Sequence, residues 1–271
     1  MSTTEFSQLQ QRLSFAVEIA RLAGEQTLEL FRNTDLDVEH KSDGSPVTAA
    51  DHAAEELLRG RISKRFPADA VIGEEFGEVS GTSGYRWTLD PIDGTKSFVS
   101  GVPLYTTLVA VLQDDQPLVG VVFAPAAGEM VYAARGQGCW HVVGGAEPRR
   151  TQVSAVNNLA DAVFLTTSVR SFTTHRSTDA RPAYDRLQDA CRIARTWGDA
   201  FGYLLVATGR AEIMVDPALS LWDAAALQPV IEEAGGRFFD WQGSATVHSE
   251  EGIATNAALA GDVLELIREF D

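Results

Sequence analysis

Hydrophobic positions recur with helical spacing in the first part of the chain. From Glu5 to Phe31 an apolar residue returns every three or four positions, which predicts a long amphipathic helix that breaks or ends near Gly24. A polar turn, Lys41–Pro46, should follow this helix. Thr48 and Asp51 then have the spacing of a capping box, which predicts the start of a second helix.

The middle of the chain carries short apolar runs that predict β-strands. The run that ends at Asp90 should be a buried strand, and it should stop there because Pro91 cannot donate to a strand ladder and disfavours helix before it. The segments 104–112 and 118–124 should form a hairpin. The other strands predicted here are Ala70–Ile72, Met130–Ala134 and Cys139–Val143.

Strands and helices follow one another after the linker Gly144–Pro148. Because this linker is rich in turn-forming residues, it is the best domain boundary, and it divides the chain into residues 1–145 and 146–271. The elements predicted beyond it are strands at 162–167, 192–196 and 211–215, and helices at 182–190, from Ala200, from Asp223 to Gly235, and at 259–270.

Composition narrows the class of protein. Apolar residues make up 45% and charged residues 22%, which fits a soluble globular chain, and no run approaches the ~18 apolar residues of a membrane span. The N-terminus lacks the pattern of a signal peptide, so we expect a cytoplasmic protein with Cys139 and Cys191 as free thiols. A net charge of −16 disfavours nucleic acid and anionic membranes as partners, and it favours a cationic or zwitterionic small molecule.

Acidic residues and a turn meet directly after the predicted central strand. Asp90 ends the strand, Asp93-Gly94 is a turn signal, and Thr95 opens the next segment with its backbone N–H free. Carboxylates for a hard cation beside amides for an anion are the pairing that a Mg²⁺-assisted phosphate hydrolase requires. An ordinary acidic turn explains this short stretch equally well.

Other acidic positions have two explanations each on local grounds. Asp51 serves as a helix cap, and Asp223 near a helix N-terminus compensates the helix dipole. Glu74 and Glu75 follow a predicted strand between glycines, where a solvated loop competes with a ligand role.

The order of these motifs resembles the inositol monophosphatase family. The matching segments are Val47–Asp51, Gly73-Glu74-Glu75, Asp90–Thr95, Val206–Gly209 and Trp222-Asp223-Ala224 before a helix that ends at Gly235-Gly236. They span nearly the whole chain. The resemblance implies an α/β fold, the layered αβαβα sandwich of the inositol monophosphatase/fructose-1,6-bisphosphatase type, with an α+β N-terminal part and an α/β C-terminal part.

The resemblance also implies a Mg²⁺ site with two or three ions. One ion would be held by Glu74, Asp90 and the Ile92 carbonyl, and a second by Asp90, Asp93 and Asp223. Phosphate would bind at Asp93, Gly94 and Thr95. A water activated by the ions would attack phosphorus in line, and the implied catalytic residues are Thr95, Asp51 and Glu74, with Thr95 and Asp51 orienting the water and accepting its proton.

Two side motifs point to one branch of the family. Asp93–Phe98 with Gly101-Val102-Pro103, and Trp197–Tyr203, resemble the histidinol-phosphate phosphatase branch more than the inositol-cleaving branch. The implied reaction converts L-histidinol phosphate and water to L-histidinol and phosphate, in histidine biosynthesis. Asp216, and Asp199 as a second candidate, would bind the cationic alcohol, although Asp216 before Pro217 also suits a loop cap.

Several alternatives remain open at the level of the sequence. Inositol 1-phosphate, a fructose bisphosphate or an adenosine bisphosphate would suit the same chemistry, and a catalytically silent regulator that binds metal and phosphate belongs to a different class. The family resemblance also implies a homodimer.

Overall fold

Two β-sheets with helices between and outside them form the architecture of the chain. The computed structural model describes residues 3–33, 38–41 and 44–270, so Ser42 and Asp43 of the predicted polar turn lie outside the described residues. Within that part the helices are α1 (Thr3–Thr27), α2 (Ala49–Arg65), α3 (Thr95–Val99), α4 (Ser171–Thr174), α5 (Arg181–Ala190), α6 (Ala200–Ala207), α7 (Leu221–Glu233) and α8 (Ala260–Ile267).

The strands of the first sheet all lie within the first 150 residues. They are β3 (Ala70–Gly73), β4 (Gly77–Val79), β5 (Tyr85–Asp93), β6 (Thr106–Gln113), β7 (Gln116–Ala124), β8 (Glu129–Ala134), β9 (Cys139–Val143) and β10 (Arg149–Arg150), and β1 (Val38–His40) and β2 (Pro46–Thr48) form a separate hairpin. The sheet order is β10-β9-β8-β7-β6-β5-β3-β4, with β3 parallel to β5.

The second sheet is built from the C-terminal part. Its strands are β11 (Val163–Leu165), β12 (Ile193–Arg195), β13 (Ile213–Asp216), β14 (Arg237–Phe239) and β15 (Gly252–Thr255). The order is β12-β11-β13-β15-β14, in which β11 runs parallel to both of its neighbours and β15 antiparallel to both of its own.

Alternating side chains of each sheet enter different cores, as the two-residue period of a strand requires. In β6, Val109 and Val111 pack with α1 and α2, whereas Leu108 and Ala110 pack with α6 and α7. The second sheet divides in the same way between α6 and α7 on one face and α5 and α8 on the other. The layers are therefore α, β, α, β and α, and the predicted αβαβα fold is confirmed.

Helix α1 confirms the long helix predicted from Glu5, which ends near Gly24 as predicted. The helix passes through Gly24 and ends at Thr27. A Cβ at position 24 would lie 2.5 Å from the Phe123 ring, so this glycine lets α1 approach β7 rather than breaking the helix. Local sequence could not show this, because the packing partner lies about a hundred positions further along the chain.

Strand β5 corrects the prediction that Pro91 ends the central strand. The strand continues to Asp93, and its pairing with β6 shifts register between Asp90 and Asp93. This bulge takes Pro91 out of the regular ladder, and its carbonyl accepts a hydrogen bond from the Thr107 hydroxyl at 2.8 Å. The bulge therefore keeps both aspartates of the motif on one continuous strand.

The predicted boundary at Gly144–Pro148 falls close to the end of the first sheet, although β10 extends that sheet to Arg150. Helix α7 of the second part packs on β5, β6 and β7, so the two parts share one core. The division at residue 145 remains a prediction. Among the described residues, no helix combines the length and the apolar composition that a bilayer span requires.

Candidate active site

The end of β5 presents two aspartates, each with one oxygen held by an internal donor. Asp90 is 2% exposed, and its Oδ1 accepts the Ile92 N–H at 3.0 Å. Asp93 Oδ2 accepts the Thr106 hydroxyl at 2.8 Å and the Ala200 N–H at 2.7 Å. These bonds fix one oxygen of each carboxyl group within the fold.

Gly94 turns the chain from β5 into α3. Its φ of 84° and ψ of 41° lie in the left-handed region, as the turn signal predicted, and α3 begins at Thr95. The first amides of a helix have no intrahelical acceptors, so the start of α3 offers N–H groups beside the aspartates. The predicted combination of acids and amides is therefore present.

Helix α7 brings the third aspartate to the same place. Asp223 forms a capping box with Ser220, and its Oδ2 accepts the Ser220 N–H at 2.9 Å. One ligand atom from each of Asp90, Asp93 and Asp223 lies within 4.8 Å of the others. Asp223 thus fits both explanations given from the sequence. It caps its helix, and it completes an acidic trio.

Asp51 likewise has two functions in the structure. It completes the predicted capping box of α2, where its Oδ2 accepts both the Thr48 N–H at 2.8 Å and the Thr48 hydroxyl at 2.6 Å. Its Oδ1 lies 3.5 Å from the Thr95 hydroxyl, which also lies 3.1 Å from the Ile92 carbonyl oxygen. Asp51 and Thr95 are therefore brought together as predicted.

Glu74 lines the same cavity but is joined to a lysine rather than to the trio. Lys41 Nζ lies 2.6 Å from Glu74 Oε1 and 2.8 Å from Glu75 Oε1. Burial lowers the pKa of Lys41, but the hydrogen bonds and charges of the two glutamates outweigh it and raise the pKa overall. The cavity of about 410 Å³ is also lined by Asp90, Ile92, Asp93, Gly94, Thr95 and Asp223.

The clustered carboxylates repel one another when they are ionised, and burial together with this repulsion raises their pKa values. Burial, and then the charges of Glu74, Asp93 and Asp223, raise the pKa of Asp90 well above its ordinary range. Burial and Asp93 raise the pKa of Asp223 to about 8. All three carboxylates of the trio are oxygen donors, and a divalent cation would allow them to ionise together, so the donor set fits Mg²⁺.

Asp216 and Asp199, the two residues predicted to bind the alcohol part of the substrate, both form a hydrogen bond with Thr167. Asp216 Oδ1 accepts the Thr167 N–H at 2.9 Å, and the Asp199 N–H donates to the Thr167 hydroxyl at 2.7 Å. Asp216 lines a cavity of about 620 Å³ that shares Ser45 with the acidic cavity. Asp199 lies instead against the turn, since a Cβ on Gly94 would be 2.8 Å from its Oδ2.

Comparison with known proteins places the chain in a family. A model of the inositol monophosphatase family matches residues 8–270. The chain belongs to the inositol monophosphatase family. A histidinol-phosphatase of Chlorobaculum parvum is 40% identical over 257 residues, which cover 94% of this chain and 96% of the relative. A histidinol-phosphatase of Mycobacterium tuberculosis is 41% identical and covers 93% of this chain and 96% of the relative.

Solved structures agree with this family and its fold. The IMPase of Thermotoga maritima superposes with a TM-score of 0.84 at 29% identity, covering 96% of this chain and 98% of that structure. The inositol monophosphatase fold predicted from the motifs is therefore confirmed.

Sequence reasoning missed several residues that shape the site of this family member. Thr106 and Thr167 support the aspartates, yet isolated threonines in or beside strands give no signal. Lys41 was visible only as part of a polar turn. Glu55 could have been suspected, because it lies four residues after Asp51 and so on the same face of α2.

Proposed function

We propose that this member of the inositol monophosphatase family is a Mg²⁺-dependent phosphomonoesterase that hydrolyses histidinol phosphate. One observation carries the proposal: the trio Asp90, Asp93 and Asp223 gathers within 4.8 Å beside the turn at Gly94 and Thr95. The relatives named histidinol-phosphatases, about 40% identical over most of the chain, support the choice of substrate.

The proposed metal ligands are the trio together with Glu74 and the Ile92 carbonyl, all of which line one cavity. When bound, Mg²⁺ would supply Lewis acidity, which lowers the pKa of a water and neutralises charge on phosphate. Two or three ions suit this number of donors. Asp90 is the proposed shared ligand, as the family resemblance implies, and the charges of Glu74, Asp93 and Asp223 all act on its carboxyl group.

The turn after β5 is the proposed phosphate site. The amides of Gly94 and Thr95 would donate to phosphate oxygens, and Asp93 fixes the turn through its bonds to Thr106 and Ala200. Phosphoryl transfer depends chiefly on such positioning and charge neutralisation.

Thr95 and Asp51 form the proposed route for the proton of the attacking water. Asp51 Oδ2 is occupied by Thr48, so Oδ1, 3.5 Å from the Thr95 hydroxyl, is the atom that would accept the proton. Burial raises the pKa of Asp51, which makes its carboxylate a stronger base. Glu74 borders the same cavity and completes the proposed catalytic set.

Asp216 is the proposed partner of the cationic alcohol. It is 2% exposed, and burial raises its pKa to about 6, although the hydroxyls of Thr167 and Tyr203 act in the opposite direction. An ammonium or imidazolium group would stabilise this buried carboxylate. Asp199 is the second proposed contact, and burial together with Asp216 and Asp223 raises its pKa to about 7.

Phosphate release from a panel of esters tests the proposal. We expect release from L-histidinol phosphate in Mg²⁺, much slower release from inositol 1-phosphate and fructose 1,6-bisphosphate, and none in EDTA. A faster rate on inositol 1-phosphate would reassign the substrate. Unchanged release in EDTA would overturn the metal-dependent mechanism.

A homodimer and a place in histidine biosynthesis are proposals that follow from the family resemblance, and a cytoplasmic location is a further proposal. Sedimentation equilibrium tests the homodimer. Fractionation of the source cells tests the location, and growth without histidine after deletion of the gene tests the place in histidine biosynthesis.

A further inference from the structure

Glu55 lies in a buried polar cluster beside the site, and no step of the proposed reaction uses it. It is 0% exposed. Its Oε2 accepts the Glu75 N–H at 2.8 Å, and its Oε1 accepts the Phe76 N–H at 3.2 Å. Both amides belong to the turn that carries Glu74, so Glu55 binds that turn through two backbone groups.

Gly73 is what allows the Glu55 carboxylate to reach the turn. A Cβ at position 73 would overlap both carboxylate oxygens of Glu55. On the other side, the Glu74 N–H donates to the Leu89 carbonyl at 3.1 Å, directly before Asp90. The backbone of Glu74 is thus held between α2 and β5.

Arg59 pairs with the charge of Glu55 and also binds Gly77, the residue that follows the turn. Its Nε donates to Glu55 Oε1 at 2.7 Å, one helical turn along α2, and its guanidinium also donates to the Gly77 carbonyl. With this partner the buried carboxylate is paired, as a buried charge must be.

We propose that Glu55 is a positioning residue for metal binding by Glu74. It acts through the amides of Glu75 and Phe76, which fix the turn that presents Glu74 to the cavity. This inference rests on the proposed metal-dependent function. Groups that orient metal ligands typically change metal affinity by about 10- to 100-fold when they are removed.

The test is an isothermal calorimetric titration with Mg²⁺, together with the unfolding temperature, for the whole chain and the variant Glu55→Gln. A glutamine has the same shape but only one accepting oxygen, so it cannot serve all three donors. We expect the half-saturating Mg²⁺ concentration to rise about 10- to 100-fold. Hydrogen exchange at the Glu75 and Phe76 amides of the metal-free variant should also become faster.

Glu212→Gln is the matched control. Glu212 is also a buried carboxylate that accepts a backbone N–H, that of Val163 at 2.7 Å, but it lies at the opposite end of β13 from Asp216. The variant Glu212→Gln should lower the unfolding temperature without changing the half-saturating Mg²⁺ concentration. If Glu55→Gln fails to fold, Gly73→Ala replaces it, because the new Cβ displaces the same carboxylate.

The outcomes separate this inference from the function on which it rests. A wild-type protein whose unfolding temperature ignores Mg²⁺ overturns both. A wild-type response, with an unchanged half-saturating concentration in Glu55→Gln or Gly73→Ala, overturns the role of Glu55 alone. The expected shift, absent in Glu212→Gln, supports it.

Discussion

Each aspartate of the trio has one oxygen bound by a donor within the fold. Asp90 binds an amide of its own bulge, Asp93 binds Thr106 and Ala200, and Asp223 binds the start of its own helix. The acids are therefore placed by bonds that do not depend on a cation. Their mutual repulsion is the remaining cost, and metal binding would offset it.

Replacing Asp223 by asparagine should separate ligand function from folding. The asparagine oxygen can still accept the Ser220 N–H, and because burial already favours the protonated form of Asp223 at neutral pH, metal-free stability should change little. The half-saturating Mg²⁺ concentration should rise by about 100-fold or more, measured by calorimetric titration. Asp262→Asn, in the first turn of α8, is the control and should leave Mg²⁺ binding unaltered.

Replacing Asp216 by asparagine should weaken binding of a cationic ester. Loss of a charge-assisted hydrogen bond costs roughly 1.5–3 kcal/mol, so the Michaelis constant for histidinol phosphate should rise about 10-fold or more. p-Nitrophenyl phosphate has no cationic group, and its Michaelis constant should stay unchanged. Equal losses on both esters would contradict the assignment of Asp216.

At the scale of elements, the site depends on how closely α7 approaches the first sheet. Gly120 in β7 faces the carbonyl of Ala226, and a Cβ there would overlap that backbone oxygen. Asp223 lies three residues before Ala226 on the same helix. A displacement of α7 would therefore move the third aspartate away from β5.

Gly120→Ala should lower both stability and metal affinity. The forced separation of β7 and α7 should cost about 1–3 kcal/mol of unfolding free energy, measured by denaturant titration, and weaken Mg²⁺ binding. Gly60→Ala is the matched control, because Gly60 lies inside α2 with no atom near its Cβ position. That change should stabilise the protein by about 0.5–1 kcal/mol, so destabilisation in both variants would argue against close packing as the cause.

Most elements were predictable because their signals are local. The capping box at Thr48, the turn at Gly94 and the hairpin joining β6 and β7 each follow from residues within a few positions of one another. The features that the sequence did not predict depend on distant contacts. Gly24 packs against Phe123, and Pro91 is accommodated by a bulge opposite β6, neither of which a local pattern records.

The site could be predicted where a motif carried it. Asp90, Asp93 and Glu74 stand in recognisable segments, and the structure gathers them around one cavity with Asp223. Glu55 was missed because an acid within a helix rich in charged residues looks like part of a solvated face. Lys41 was missed because its pairing with Glu74 joins segments more than thirty positions apart.

At the scale of the whole molecule, the acidic site should make stability depend on pH and metal together. Burial and neighbouring charge raise the pKa of Asp223 from its ordinary value of 3.8 to about 8 in the folded chain. A carboxyl group whose pKa is higher in the folded than in the unfolded state binds more protons when folded, so stability falls as pH rises through this window.

In EDTA we therefore expect the unfolding temperature, measured by differential scanning calorimetry, to fall between about pH 4 and pH 8 on account of this group. Excess Mg²⁺ should raise it, and by more at pH 8 than at pH 5, because metal ligands must be deprotonated. A metal-free unfolding temperature that rises with pH across the range would contradict the predicted charge repulsion.

The long separation between Asp93 and Asp223 also sets when the acidic trio can exist. The ribosome makes β5 first, and Asp223 of α7 follows Asp93 by 130 positions. A nascent chain that stops before residue 223 carries two of the three clustered carboxylates and lacks the helix that covers them. The trio therefore forms only after residue 223 has been made, and a product truncated before that residue would lack it.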